Sequence, residues 1–164
     1  MQTIIFILPE IFISLSIMAL LMLGVFVKKS FKLISLLTIL SLVFTIALIF
    51  NQPEEVIKIF KDSYILDKFS FYMKILTLLF CSLVLVSSKD YLKRNNIDKM
   101  EYPVIVLAST LGMVIMISSY DLIIFYLALE LQSICLYILA SFKREDEKST
   151  EAGLKYFVLS ALAS

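Results

Sequence analysis

The sequence predicts an all-α fold, a polytopic bundle of transmembrane helices, from its composition and from the lengths of its apolar runs. Of its 164 residues, 60% are hydrophobic, and the mean hydropathy is +0.95. Soluble domains contain about 45–50% apolar residues, so this composition indicates an integral membrane protein. Five apolar runs are long enough to cross a bilayer, which takes about 20 helical residues, and a sixth run is too short.

The predicted spans are residues 4–27, 31–50, 69–88, 103–118 and 120–141, followed by the short helix 152–164. Glu10 follows Pro9 in the opening turns of the first span, where an acid suits the positive end of a helix, so we expect it at the interface. Lys74 lies a short way inside the third span, from where a lysine can extend its ammonium group to the headgroups. The sequence leaves the roles of Glu10 and Lys74 open.

A small β-hairpin at the membrane surface is predicted between the second and third spans. Residues 56–60 and 64–66 are short β-prone runs, and Lys61, Asp62 and Ser63 between them suit a turn. An interfacial amphipathic helix is the alternative, because short apolar runs are compatible with either structure.

Short links constrain the later helices. The pair Ala108 and Gly112 gives the fourth span a face of small residues for close helix contact, and the link to the fifth span is very tight. The fourth and fifth helices are therefore expected to be antiparallel neighbours. Ser149 or Thr150 is predicted to cap the sixth helix. Because that helix is too short to span, we expect the sequence to be part of a longer protein.

The distribution of basic residues predicts the orientation in the membrane. The connections after the first, third and fifth spans hold ten Lys and Arg residues, against three after the second and fourth. The positive-inside rule then places the N-terminus outside and the ten residues on the cytoplasmic or matrix side. The ten are Lys28, Lys29, Lys32, Lys89, Lys93, Arg94, Lys99, Lys143, Arg144 and Lys148.

Composition excludes several kinds of site. There is no histidine, and the two cysteines, Cys81 and Cys135, lie in separate apolar runs. This excludes haem ligation by histidine, iron–sulfur or zinc sites of the CxxC type, and a cysteine–histidine nucleophile. We predict no metal and no cofactor bound by this chain, and the net charge of +1 gives no indication of nucleic acid.

Glu130 is the candidate functional residue, because it stands near the middle of the fifth span. It would lie roughly 14 Å along the helix from Asp121, and a charge at such a depth costs about 2.5–3.5 kcal/mol. Tyr126, Ser133 and Tyr137 share its side of the helix at i−4, i+3 and i+7, and are predicted as its hydrogen-bond partners. The alternative is a carboxyl group that only fixes helix packing.

The segments SSYDLIIFYLALELQSICLYILASFKR and STEAGLKYFVLSALAS closely resemble the chain 2 family of NADH-ubiquinone oxidoreductase, antiporter-like membrane subunits of mitochondrial respiratory complex I. The match covers residues 103–164, whereas residues 1–102 agree only in layout. The resemblance implies a division into these two parts: three amino-terminal helices with the hairpin, then the start of the first antiporter-like repeat of a fourteen-helix fold.

The resemblance also implies how the protein works. Proton translocation, coupled to NADH oxidation by ubiquinone, is expected to use Glu130 paired with a lysine on a later helix, with Lys155 as a further participant. FMN, iron–sulfur clusters and ubiquinone are expected on other subunits. The later helices are expected on a second polypeptide, among partners that include the other membrane-arm subunits and lipids. The expected location is the mitochondrial inner membrane, with the N-terminus towards the intermembrane space.

Two alternatives remain at this point. One is a subunit of a multi-subunit monovalent cation/proton antiporter, since that class shares the fold and the glutamate. The other is a purely structural or assembly fragment of complex I. For Lys155, an interfacial anchor is the alternative to a role in the proton path.

Overall fold

The computed structural model describes residues 6–27, 31–52 and 56–163, which form six helices and one β-hairpin. Predictions that concern Ile4, Lys28, Lys29 and Ser164 lie outside the described residues. The elements are α1 (Leu8–Phe26), α2 (Phe31–Phe50), β1 (Ile57–Ile59), β2 (Tyr64–Leu66), α3 (Lys68–Arg94), α4 (Glu101–Ser118), α5 (Leu122–Ala140) and α6 (Glu147–Ala163).

Helices α1 to α5 are long and apolar enough to cross a membrane, with mean hydropathies between 1.7 and 2.7. This confirms the prediction of five spans in an all-α bundle. Helix α6 has 17 residues and is not among them.

Helix α3 is longer than predicted, because it continues through a charged segment to Arg94. A polar sequence outside the membrane can stay helical until something breaks it, and here the break comes at Asn95 and Asn96. Asn95 is the C-cap, and Asn96 has a φ of 55°. The charged loop predicted over residues 89–101 is therefore helical for its first six positions.

The predicted cap of α6 is wrong. The helix begins at Glu147, so Ser149 and Thr150 lie inside its first turn rather than before it. The Ser149 hydroxyl donates to the Ala140 carbonyl at 2.8 Å, and Thr150 donates to the Asp146 carbonyl at 3.2 Å. Ser149 therefore ties the start of α6 to the end of α5.

The hairpin is present as predicted, and the amphipathic-helix alternative is wrong. Strands β1 and β2 pair antiparallel, with Ile57 opposite Leu66 and Ile59 opposite Tyr64. The tight reversal between them places Phe60, Lys61 and Asp62 at φ values of 56°, 54° and 70°. Ile59, Tyr64 and Leu66 point inward and pack against Phe6, Ile7 and Ile57, so the hairpin covers one end of the bundle.

The main core lies among α1 to α4, and α5 and α6 lie at its side. Half of the α4 span is buried, against 17% of the α5 span. The predicted small face of α4 contacts α5: a Cβ atom on Gly112 would lie 2.9 Å from the Ala128 carbonyl oxygen. The antiparallel neighbours predicted from the tight link therefore pack closely at Gly112. The buried core residues are Ile13, Leu20, Ile34, Leu42, Ile49, Leu78, Leu85, Val104, Val106, Leu107 and Val114.

Candidate functional site

Glu130 lies within α5, which begins directly after the turn that follows α4. The Asp121 side chain caps this helix by accepting from the Ile123 N–H at 2.8 Å. The Glu130 side chain is half-buried. It forms no hydrogen bond and no ion pair with any residue in the described part of the chain. The structure thus presents a carboxyl group in the middle of an apolar helix without a hydrogen-bond or ion-pair partner in residues 6–27, 31–52 and 56–163.

None of the three predicted partners of Glu130 bonds to it: one is exposed, and the other two donate hydrogen bonds to other groups. Tyr126 is 46% exposed. The Ser133 hydroxyl donates to the Leu129 carbonyl in its own helix at 2.8 Å. Tyr137 is buried and donates to the Ser160 hydroxyl of α6. The structure therefore joins Tyr137 to α6, and it brings none of the three into hydrogen-bond contact with Glu130.

Lys155 is on α6 and pairs with its own helix. Its Nζ lies 2.5 Å from the Glu151 Oε1, one turn earlier, and its side chain is 70% exposed. Lys155 and Glu130 form no ion pair in this structure. This arrangement leaves the Lys155 ammonium group on an open surface of α6.

A second group of charged residues, which the sequence did not predict, lies between α1, α3 and the hairpin. The Lys74 Nζ is 2.7 Å from the Glu10 Oε1 and 2.8 Å from the Tyr64 hydroxyl. The Tyr64 hydroxyl donates to the same Glu10 oxygen at 2.5 Å. We call these three residues the hairpin cluster.

The hairpin cluster corrects the expectations for Glu10 and Lys74. Lys74 is 0% exposed and Glu10 is 4% exposed, so both side chains are enclosed by protein instead of lying against the headgroups. Instead of extending to the headgroups, the ammonium group turns inward, because a buried carboxylate and a phenol meet it there. Desolvation by burial, together with the neighbouring Glu10, raises the pKa of Tyr64, so the phenol stays protonated and acts as a donor.

Local sequence explains how the hairpin cluster forms. Asp67 and Ser70 make a reciprocal capping box that starts α3, and Lys74 follows one turn later. Tyr64 precedes that cap on β2, directed inward with Ile59 and Leu66. Within the described residues, the second oxygen of Glu10 is buried without a hydrogen-bond partner. The sequence does contain a signal for this pair. Glu10 and Lys74 have opposite charges, and both lie near the span ends that the predicted topology places on the same side of the membrane.

No metal centre is found in the described residues, which contain no group of three or more acidic, cysteine or histidine side chains able to hold an ion. Cys81 and Cys135 are both free thiols.

Two family matches cover nearly the whole chain. Residues 11–116 match the family described as "NADH-ubiquinone oxidoreductase chain 4, amino terminus". Residues 119–164 match the family described as "NADH:quinone oxidoreductase/Mrp antiporter, TM". The boundary between the two matches falls at the end of α4, directly before the turn to α5.

Related proteins point the same way. NADH-quinone oxidoreductase subunit N of Pelagibacter ubique is 57% identical over 160 residues, which is 97% of this chain and 34% of that protein. The subunit N of Paramagnetospirillum magneticum is 46% identical over 96% of this chain and 33% of its own length. The chain thus spans about a third of the length of these relatives.

A solved structure shares the fold. A chain of respiratory complex I from Thermus thermophilus, determined with bound aureothin, superposes with a TM-score of 0.77 and 26% identity, covering 94% of this chain and 33% of that one. Because residues 11–116 are well over half of the sequence, this chain belongs to the family described as NADH-ubiquinone oxidoreductase chain 4, amino terminus.

Proposed function

We propose that this chain is the amino-terminal third of a subunit N-type membrane-arm subunit of complex I, the type called chain 2 in mitochondria. It contributes to proton translocation that is coupled to NADH oxidation by ubiquinone, and it carries out no redox step itself. The relatives named subunit N support this assignment, as does the complex I chain that shares the fold.

The observation that carries the proposal is Glu130. A carboxylate inside an apolar span is costly, and the described part of the chain gives it no compensating charge. A lysine from the remaining length of the protein would supply that charge. An approaching ammonium group favours the carboxylate, and its withdrawal favours the protonated acid, so lysine movement would make Glu130 release and bind a proton.

The test is a Glu130→Gln variant of the assembled complex, measured as protons translocated per electron transferred. Glutamine keeps the size and polarity of the side chain but cannot bind a proton, so the ratio is expected to fall. The matched control is Glu145→Gln, in the exposed connection between α5 and α6. A Glu130→Gln complex with an unchanged ratio would overturn the proposal.

For Lys155 we propose a supporting role in the same proton path. Its ion pair with Glu151 provides a way to distinguish this role from simple anchoring at the interface. If Lys155 only pairs with Glu151, then Lys155→Met and Glu151→Gln remove the same interaction and have the same effect. If Lys155 passes protons, only Lys155→Met lowers the proton-to-electron ratio. Equal effects would leave Lys155 as an anchor.

A monovalent cation/proton antiporter subunit is the second candidate, and the match of residues 119–164 to the family shared with Mrp antiporters favours it. The two functions differ in what the protein assembles with. A tagged chain that co-purifies with NADH dehydrogenase activity supports the complex I role. Purification without that activity, together with cation-dependent proton exchange in vesicles, would support the antiporter.

Partners and location follow from the same proposal. The other membrane-arm subunits are the expected neighbours, and the lysine of the pair is expected either on a second polypeptide or on a continuation of the same chain. Mass spectrometry of the purified complex distinguishes these two sources. The proposed membrane is the mitochondrial inner membrane, with the N-terminus on the intermembrane-space side, although the relatives described above are bacterial. Imaging of a tagged chain and labelling of its N-terminus test the two statements.

A further inference from the structure

The proposed proton path makes no use of the hairpin cluster, although Lys74 and Glu10 are among the most deeply buried charged residues of the described chain. Three elements contribute to it: Glu10 comes from α1, Tyr64 lies 54 residues later on β2, and Lys74 lies on the following helix, α3. The role of this buried cluster therefore remains to be explained.

Charge and geometry make the hairpin cluster a joint between its three elements. One ammonium and one carboxylate give no net charge, and a single Glu10 oxygen accepts from both Lys74 and Tyr64. Removing either charged side chain would leave the other buried and unpaired, which is strongly unfavourable in a low-dielectric interior. The hairpin cluster therefore holds α1, α3 and the hairpin together.

What the hairpin cluster holds in place is the hairpin, and the hairpin in turn holds the link between α4 and α5. The Tyr120 N–H donates to the Ser63 carbonyl at 2.9 Å, and Tyr64 pairs with Ser119 in an antiparallel bridge. The Lys58 ammonium group lies 5.1 Å from the centre of the Tyr120 ring. The hairpin thus contacts the residues immediately before α5 through both backbone and side chains.

The link matters because most of the α5 surface faces away from the rest of the described chain. Only 17% of its span is buried, and within these residues α5 packs on α4, closely at Gly112, and on α6, which Tyr137 contacts. The residue that follows the bridge, Asp121, is the N-cap of α5. A shift of the hairpin would therefore move the start of the helix that carries Glu130.

We propose that Glu10, Tyr64 and Lys74 are positioning residues for Glu130, acting through the hairpin and the link between α4 and α5. This inference rests on the proposed role of Glu130 in proton translocation. Since proton transfer depends steeply on donor–acceptor geometry, a loosened hairpin should lower proton translocation without removing any group from the path.

The experiment uses Tyr64→Phe in the assembled complex, because this change keeps the buried ion pair and the ring but removes the hydroxyl. The control is Tyr72→Phe on α3, whose side chain is 69% exposed. Hairpin position is reported by the rate of disulfide formation in a Ser63→Cys/Tyr120→Cys pair, with Cys81 and Cys135 replaced by alanine. Function is reported by protons translocated per electron.

Tyr64→Phe is expected to slow disulfide formation roughly tenfold, as for the loss of a hydrogen bond to a charged group. It should also lower the proton-to-electron ratio, and forming the disulfide beforehand should restore that ratio. Tyr72→Phe should change neither. If Tyr64→Phe does not assemble, Lys74→Arg, which keeps the charge but changes its shape, takes its place in the same comparison.

Three outcomes would overturn the positioning role: disulfide formation at the wild-type rate, an unchanged proton-to-electron ratio, or a lowered ratio that the disulfide does not restore. Failure of the proposed function is a separate result, because it appears as normal pumping in Glu130→Gln. The disulfide rate still reports whether the hairpin cluster holds the hairpin in that case.

Discussion

Glu10 and Glu130 are both carboxyl groups within apolar helices, and their surroundings differ completely. Glu10 is 4% exposed, pairs with Lys74 at 2.7 Å and accepts from Tyr64 at 2.5 Å. Glu130 is half-buried and forms no hydrogen bond or ion pair with the described residues of the chain. We call Glu10 with Lys74 and Tyr64 the closed site, because this chain supplies all of its partners. We call Glu130 the open site, because its carboxyl group lies on α5 without such partners.

The difference shows how a membrane protein can use the same residue for opposite purposes. A carboxylate with a fixed partner gains little from changing its protonation state, because its partner would be left charged and buried. A carboxylate whose partner comes from elsewhere can respond to the movement of that partner. Depth in the membrane alone does not separate the two cases, whereas the identity and origin of the partner do.

The largest expected effect comes from opening the closed site. Lys74→Met leaves the Glu10 carboxylate buried without its counter-charge, which should destabilise the protein by about 3–5 kcal/mol. Thermal denaturation of the purified complex measures this loss, and Lys68→Met, an exposed lysine on the same helix, is the control. Adding Glu10→Gln to Lys74→Met removes the stranded charge and should recover part of the stability. Equal stability of Lys74→Met and wild type would show that the hairpin cluster does not hold α1 and α3 together.

The next effect concerns the contact that supports the open site. Gly112→Ala places a methyl group 2.9 Å from the Ala128 oxygen and 3.0 Å from the Gln132 nitrogen, both of which are backbone atoms that cannot rotate away. The expected loss is about 1–3 kcal/mol, with α4 and α5 moved apart. In the control Gly24→Ala, the new atom meets the ends of the Met100 and Ile34 side chains, which can move. Identical denaturation curves for the two variants would contradict close α4–α5 packing.

An alkaline titration tests the closed site in another way. The pKa of Tyr64 is raised above its ordinary value of 10.0, so the folded protein retains this proton after the unfolded chain has lost it. Its contribution to stability is complete below pH 10 and falls as the pH rises further, by at most about 1.4 kcal/mol per pH unit. Denaturation temperatures recorded above pH 10 should therefore fall less steeply for Tyr64→Phe than for the wild type. Parallel curves would mean that the phenol is not held protonated.

The smallest expected effect is at the open site itself. Because Glu130 forms no hydrogen bond or ion pair in the described part of the chain, Glu130→Gln removes no such contact there and should lower the stability of this chain in isolation by no more than about 0.5 kcal/mol. Urea denaturation in detergent, with Glu10→Gln as the comparison, measures the contrast. A loss at Glu130 as large as that at Glu10 would mean that Glu130 has a partner within this segment.

Much of the fold follows from local sequence. The five spans are visible as hydropathy, and the hairpin is visible as two β-prone runs around Lys61 and Asp62. The predicted end of α3 was too early, because residues 89–94 are polar but do not break a helix. The change in composition indicates where the helix leaves the membrane, and the helix itself continues beyond that point. The start of α6 was missed for a related reason, since Ser149 bonds to Ala140 of the previous helix instead of capping its own.

The sequence shows a charge near one end of the first and third spans, but it does not show that Glu10 and Lys74, which are 64 residues apart, make contact. Each lies near the end of a span, where a single charge is compatible with an interfacial position. Only the packing of α1, α3 and the hairpin shows that the two positions face each other with Tyr64 between them. Glu130 was recognisable because it stands in mid-span, where an interfacial position is impossible.

Helix α3 has one consequence for the depth of Lys74. Its 27 residues extend about 40 Å, whereas the hydrocarbon layer is about 30 Å thick. Its start is fixed by the Asp67–Ser70 capping box, so the excess length lies at the end that carries Lys93 and Arg94. A thicker or thinner bilayer is thus accommodated at that charged end. Lys74, close to the fixed start, keeps the same distance from the hairpin side in membranes of different composition.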